Sequence, residues 1–434
     1  MNELIKQRIT QLNNGEVPNG YENTDFGIFP CDWVKDKAFG DLFDFYGGLG
    51  KSREELGEEG HAYLHYGDLH RGSFNVVSHA QYEHLPKYDV TLKGSEAYLM
   101  EDGDVAFLDA SEDLEGTSRS VLIDNPDNEP FIAGLHVIFG KSKNNSLEKW
   151  YKQYITATDS VRKQFQRLAS GFKVYGVTRE TLPKIQIAYP KSTDEQSKIA
   201  EILMKWDEAI ELQKQYITKI ILRNGAVVDK LLSSKDNWKP LPLSTFVELK
   251  NGYAFKSETY INEGKYKIIT IKNVKSGEFD LTECCTIDEL PNNLQTHQLL
   301  SMGDIIISLT GNVGRACIVN AENCLLNQRV GKIVVKTISP VFVYEILQTN
   351  RFVSKMKNIA QGCAQANLSN ADVEDFVAFF PYDGDSLDIK TIDKISCILS
   401  EFRNELALQK ELLNKLLLQR KALQQYLLNG IVRV

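Results

Sequence analysis

The chain has 434 residues, 42% of them hydrophobic and 25% charged, which leaves room for two sizeable cores; its net charge is −8. That acidity excludes a protein that coats DNA without selectivity, because such binding is nearly all phosphate electrostatics. No apolar run approaches the roughly 20 residues of a membrane span, and the first residues lack an apolar signal core, so a cytoplasmic protein with no membrane partner is expected. The seven cysteines show no C-x-x-C spacing and read as reduced thiols.

In chain order, residues 1–190 read as a mixed, sheet-rich domain. Apolar runs at 62–66, 104–108 and 135–139 predict strands, Gly, Asn and Asp punctuate them as turns, and 146–155 predicts a short helix. Over 191–234 the pattern changes to a helix with a 4-3 seam, apolar except at Gln213 and Asn224: Ile199, Leu203, Trp206, Ile210, Gln213, Ile217, Ile220, Asn224, Val227 and Leu231. Residues 235–383 return to the first rhythm, with strands at 267–271, 304–308 and 332–335 and a helix over 341–357. A second long helix over 384–434 has the matching seam Ile395, Leu399, Phe402, Leu406, Gln409, Leu413, Leu416, Arg420, Leu423 and Leu427. The fold class is therefore α+β: two domains of mixed type, separated by two long helices that form an antiparallel coiled-coil spacer, in an internal pseudo-twofold repeat. A helix of about 37 residues spans about 55 Å.

The chain is written twice. Trp33 recurs as Trp238, Lys51-Ser52 as Lys256-Ser257 and Gly72-x-Phe74 as Gly277-x-Phe279, each 205 positions on. Gly103-Asp104 matches Gly303-Asp304, Gly171 and Pro190 match Gly362 and Pro381, and Gln213-Lys214 matches Gln409-Lys410. The drifting offset is what loop insertions and deletions produce, and the period is far too long for a solenoid unit.

Charge is unevenly placed. Residues 1–150 carry a balance of −14 and the remainder +6. Nine Lys or Arg lie in 141–179 against Glu148 and Asp159, and the matching segment 329–357 holds six basic residues and one acidic. Such a run is usually a solvated face; its recurrence in both copies favours two local basic surfaces. Gly47-Gly-Leu-Gly-Lys-Ser52 ends like a phosphate loop, but Phe45 stands where the first glycine is needed and Arg53-Glu-Glu-Leu-Gly cannot open the apolar helix behind it. His61, His65 and His70 have no supporting carboxylate or cysteine spacing for a metal site, and no catalytic motif is present.

Taken together, these features resemble the specificity subunit of type I restriction-modification enzymes over essentially the whole chain. Gly27-Ile-Phe-Pro30 followed by Trp33 is similar to the opening of a target-recognition domain, with Trp238 opening the second. Gly303-Asp-Ile-Ile-Ile-Ser308, then Gly311-Asn-Val-Gly-Arg315 and Leu326-Asn-Gln-Arg329, resembles its core. Gly362, Leu368-Ser369 and Pro381 resemble the junction into the spacer helix. The first copy departs from this: Glu115-Gly-Thr-Ser-Arg119 stands for Gly311–Arg315, and Ala133-Gly-Leu-His136 for Asn327-Gln-Arg-Val330.

The resemblance implies a non-catalytic subunit whose two domains each read half of a bipartite, asymmetric double-stranded DNA target, with the spacer length setting the gap. Its implied partners are two methylation subunits, which use S-adenosylmethionine, and restriction subunits that need ATP and Mg; this chain itself is expected to hold no cofactor or metal. Base edges are read by Arg and Lys on guanine and by Asn and Gln on adenine. The first-domain candidates are Lys51, Arg53, Tyr66, His70, Arg71, Asn75 and Arg119, with Arg162, Lys163 and Lys173 on phosphates. Those of the second are Tyr253, Lys256, Lys272, Asn273, Lys275, Asn312, Arg315, Gln328, Arg329, Gln365 and Asn367. Two other readings stand beside this one: a coiled-coil adaptor whose twin domains bind protein ligands, and an enzyme using the loop at Gly47–Ser52.

Overall fold

The strand Val105–Leu108 is buried along its whole length because both faces of its sheet are covered. Its alternate residues feed two cores: Val105 and Phe107 join one cluster, Ala106 and Leu108 another. Ile305–Ser308 does the same in the second copy, with Ile305 and Ile307 on one side and Ile306 on the other. The structure, a computed structural model, describes residues 3–434 apart from 72–74, 83, 89–95, 112–115, 169–174 and 362–366. The chain divides into two units, 1–213 with 413–434, and 214–412.

Around those central strands the two units repeat one topology. In the first unit the sheet order is Phe43–Gly47, Val137–Ser142, Val105–Leu108, Ser120–Ile123, Val76–Val77. In the second it is Val247–Asn251, Val330–Val335, Ile305–Ser308, Ala316–Ile318. Each unit adds a smaller sheet built on a parallel pair, His61–Leu64 with Phe131–Ala133 and Tyr266–Ile269 with Cys324–Leu326. Each is closed by an antiparallel pair joining its ends, Val34–Ala38 with Gln186–Tyr189 and Trp238–Pro242 with Val377–Asp383. The repeated Gly-Asp has one job in both: Asp104 accepts from the Glu101 N–H and Asp304 from the Ser301 N–H, each at 2.8 Å, which turns the chain into the central strand. Burial pushes the Asp104 carboxyl up to about 7.

The long helices are Thr193–Leu231 and Ile389–Leu428, a few residues shorter at each end than the pattern predicts. Every seam position is buried or half-buried. Ile199, Leu203, Ile210, Ile217, Ile220 and Asn224 are buried and Trp206 and Gln213 half-buried; Ile395 and Leu399 are buried and Phe402, Leu406, Gln409 and Leu413 half-buried. In the first unit the helix segments run antiparallel. Arg433 in the chain's tail grips Glu195, while Arg420 clasps Asp207 through Nε at 2.8 Å and Nη2 at 2.9 Å. In the second unit Arg223 pairs with Glu405 and lies over Phe402, and Val228 and Leu231 join the cluster that holds Ile395 and Leu399.

Two short helices differ from the sequence reading. Over 146–155 there is only the 3-10 turn Trp150–Tyr154. Its approach is held by tertiary bonds, since Gln196 accepts from the Glu148 N–H and donates to the carbonyls of Ser146 and Pro190. The helix over 341–357 is two, Pro340–Gln348 and Asn350–Gln361; Thr349 adopts an extended ψ of 144° between them and its Oγ accepts from the Phe352 N–H. The six described cysteines form no disulfide.

One close approach recurs in both domains. A Cβ on Gly48 would stand 1.8 Å from the Gly134 carbonyl oxygen, and one on Gly252 2.2 Å from that of Asn327. Gly225 in the central helix faces open space. Gly48→Ala should therefore cost about 3 kcal/mol or more, whereas Gly225→Ala should add about 1 kcal/mol. Thermal unfolding of the two variants checks this; equal melting temperatures would refute the packing described.

Candidate nucleic-acid interface

Backbone hydrogen bonds bring the loops of the two domains into one register. Leu49 donates to the Ala133 carbonyl as Tyr253 does to that of Leu326, and Lys51 to Leu49 as Phe255 to Tyr253. Lys51 is thus the counterpart of Phe255, and Ser52 that of Lys256. The Lys51-Ser52 and Lys256-Ser257 identity in the sequence is out of step by one residue. Leu108 donates to Arg119 as Ser308 does to Arg315, so those two arginines do correspond.

In the second domain the loops join into one surface. Gln328 donates to the Tyr253 carbonyl, Leu309 to that of Arg329 and Leu368 to that of Leu309, while Thr310 bridges Asn367. The 309–315 loop is a tight turn with Gly311 at φ 69° and Gly314 at φ 74°. Inside it the Ser308 hydroxyl donates to the Asn312 carbonyl and accepts from the Arg315 N–H. This leaves the Asn312, Gln328, Arg329 and Asn367 side chains exposed, with Arg315 and Tyr253 half-buried. Lys256, Lys272 and Lys275 are exposed. Lys272 meets Glu283 at 3.2 Å and Lys275 meets Asp280 at 3.8 Å; such exposed pairs hold a lysine only weakly.

Asn273 is a correction. It is 1% exposed, and all its amide capacity is spent on its own loop. Its Oδ1 accepts from the Thr270 N–H and hydroxyl, and its Nδ2 donates to the carbonyls of Asp280 and Glu283. It shapes the loop that carries Lys272 and Lys275 and cannot reach a base as it stands.

The first domain gathers its loops on Tyr63. The phenol accepts from the N–H groups of Lys51 at 3.0 Å and Leu135 at 2.8 Å and donates to the Leu49 carbonyl. Lys51 is turned to Glu55 at 2.9 Å and to the Tyr88 ring, and Lys51 in turn holds the Glu55 carboxyl down at about 2. Arg53 pairs with Asp68 at 2.5 Å. Tyr66 and Asn75 are exposed, Arg162 is half-buried and Lys163 exposed. Burial lowers the Arg119 pKa, and its buried Nε has no hydrogen-bond partner among the described residues. The side chains of His70 and Arg71, all of Lys173 and Gln365, and the matched Gly72-x-Phe74, Gly171 and Gly362 lie outside the described residues.

The basic run at 141–179 is not one surface. Lys141 meets Glu101, Lys143 meets Asp44, and Lys149 meets Asp102 and Asp124. Lys152 is 8% exposed and donates to the Gly103 carbonyl. Four of its nine bases therefore serve the acidic first half of the domain. Arg162, Lys163 and Arg167 remain on the helix Asp159–Leu168. In the matching segment Lys332 is tied to Asp304 at 2.6 Å, and Arg351 lies over Phe376 and Phe379.

The loop at Gly47–Ser52 runs into the 3-10 turn Arg53–Glu55, with Glu55 capping Ser52, and no helix follows to face a phosphate. His65 is 5% exposed and its Nδ1 accepts from the Gly67 N–H. Among the described residues no group of three His, Cys, Asp or Glu is placed to hold a metal, and no helix is long and apolar enough to cross a membrane.

Sequence reading also missed His136. The Gly134 N–H donates to the Leu64 carbonyl as that of Asn327 does to Ile269, and Val137 donates to Gly134 as Val330 does to Asn327. His136 therefore stands where the second domain has Arg329, one step from the sequence alignment.

Residues 32–221 and 235–418 each match the type I restriction modification DNA specificity domain. The S subunit of a type I restriction-modification system from M. genitalium is 16% identical with a TM-score of 0.53, over 95% of this chain and 97% of that one. A second structure, solved for complex assembly and conformational transition of the type I R-M system, is 13% identical with a TM-score of 0.56, over 96% of this chain and 100% of that one. At such identities the likeness is one of fold.

Asn273→Ala should lower the stability of the second domain by about 2 kcal/mol through its lost buried bonds, while exposed Asn312→Ala should leave it unchanged. Paired unfolding curves check this; equal stability would return Asn273 to the surface candidates.

Proposed function

The chain belongs to the type I restriction modification DNA specificity family, and we propose that its two domains each read a different half of one bipartite, asymmetric duplex target. One observation carries this reading. The two domains hold their loops in the same backbone register but present different side chains: Gln328 and Arg329 in one, Leu135 and His136 in the other. A shared scaffold with unlike readers suits two unlike half-sites. Arg315, Arg329, Gln328, Asn312 and Asn367 form the reading group of the second domain, with Lys256, Lys272 and Lys275 on phosphates. Arg119, Tyr66 and Asn75 serve the first, with Arg162 and Lys163 on the backbone.

In this reading the chain is non-catalytic. Methyl transfer from S-adenosylmethionine and any ATP- and Mg-dependent cleavage belong to partner subunits. Two copies of a methylation subunit suit a duplicated set of exposed apolar residues on the long helices. Leu212, Tyr216, Ile221 and Leu222 are exposed on one, and Leu408, Leu412, Leu417 and Leu418 on the other, each pair 196 positions apart. Exposed leucines in matched positions fit one docking helix used twice. The solved relative from a complex-assembly study supports the same kind of association. A twin adaptor for protein ligands would instead show no sequence-dependent DNA affinity.

Two outcomes are expected of the complex with its methylation subunits. Arg315→Ala should cost about 1–3 kcal/mol of discrimination at one base pair of one half-site; a uniform loss on all duplexes, read by competition binding, would contradict base reading. Leu222→Ser with Leu418→Ser should weaken co-purification of the methylation subunits without lowering the helix content. Unchanged recovery would remove these residues from the interface.

A further inference from the structure

We propose that His136 is a base-reading, specificity-determining residue of the first domain, at the place Arg329 holds in the second. The inference rests on the reading that the two domains recognise DNA, and it adds a reader that composition and spacing did not single out. The register is fixed by backbone bonds on every side of the loop. Asp109 donates to the His136 carbonyl at 3.3 Å as Leu309 does to that of Arg329 at 3.0 Å. Strand and loop neighbours in both domains agree with it.

What distinguishes His136 is how it is held. It sits at φ 59°, one of three non-glycine residues at positive φ among the described residues, and the other two are asparagines, which tolerate that region better. The Val137 N–H donates to the Gly134 carbonyl at 3.2 Å, a turn that sets its third residue at positive φ and for which glycine is the usual choice, yet a histidine stands there with its side chain 46% exposed. Strain kept at an exposed position points to a task for the side chain. The ring is nonetheless fixed. Its Nδ1 lies 2.9 Å from Asp109 Oδ1, and the Tyr66 ring meets it edge-on at 5.5 Å. The Tyr66 N–H donates to the Leu135 carbonyl next door, which ties Tyr66 to the loop that carries His136. With Nδ1 given to Asp109, Nε2 has no partner among the described residues. An imidazole so oriented presents a single directional polar atom. With Nδ1–H on the carboxylate, Nε2 of the neutral ring accepts from the amino edge of adenine or cytosine, and Nε2 of the protonated ring donates to N7 or O6 of guanine, so either form reads one base edge. Asp109 acts as the positioning residue.

His136→Gly separates this role from a structural one, because glycine is at ease at positive φ. The variant should unfold at the same temperature as the native chain or higher. In the complete complex with methylation subunits, target selection from a pool randomised across both half-sites should then show one base pair of one half-site degenerate, with preference there falling about tenfold. The other half-site should stay intact, and Arg329→Ala should show the reverse pattern. Unchanged preference at every position in the glycine variant, with a bipartite target for the native complex, overturns the role of His136 and leaves the two-domain reading standing. A uniform loss at all positions also overturns it, making His136 a backbone contact. A native complex that selects no bipartite target overturns the two-domain reading and this inference with it.

Discussion

Each domain's main core is closed by two helix segments that come from different copies of the repeat. In the first unit Ile199, Ala200 and Leu203, at the start of the central helix, share a cluster with Leu427 and Leu428, at the end of the C-terminal one. In the second unit Ile392, Ile395 and Leu399 share theirs with Val228, Leu231 and Leu232. Neither domain completes its core from its own copy, so the helix pairing is part of the domain fold rather than an attachment to it. The seam's polar residues add selectivity to that packing. Tyr154 donates to Asp207 while Arg420 clasps the same carboxylate. The second unit places Arg403 over Tyr344 and against Glu345. The chain's end is anchored too. Arg433 forks onto Glu195 and Asp32, and its hydrogen bonds hold the Asp32 carboxyl below the usual range.

From that constraint follows the character of the interface. The reading loops leave the ends of strands that are buried on both faces, so their backbone positions are set by the core and only their side chains are free to differ. Gly48 and Gly252 show how tightly this is set: both let one loop pass within contact of the next carbonyl. Two domains with one scaffold can then diverge in what they read without losing the helix pair that joins them.

Much of this was legible in the sequence, for a physical reason. Periods of 2 and 3.5 are local signals, so the central strands and both seams emerged from residue spacing alone. The aligned tryptophans were right as well: the Trp33 and Trp238 N–H groups each bond back three residues. Loops carry no period, and there the reading slipped. The lysine-serine identity and the alignment at His136 each missed by one residue, because only cross-strand hydrogen bonds reveal the step. Asn273 looked like a reader because an amide on a lysine-rich loop gives no sign that its own backbone will absorb it. The basic run looked like a surface because its carboxylate partners, Glu101, Asp44, Asp102 and Asp124, lie outside it in sequence. The short helix over 146–155 failed because Gln196, far along the chain, takes the bonds a helix would have used.

The central claim is that one chain presents two unlike readers to one DNA target. Base-resolution methylation sequencing of cells carrying the gene and of cells lacking it tests that claim most directly. Deletion should remove adenine methylation from a single motif made of two unlike halves around a fixed gap. Methylation that is the same with and without the gene, in cells whose methylation subunits are active, would contradict it.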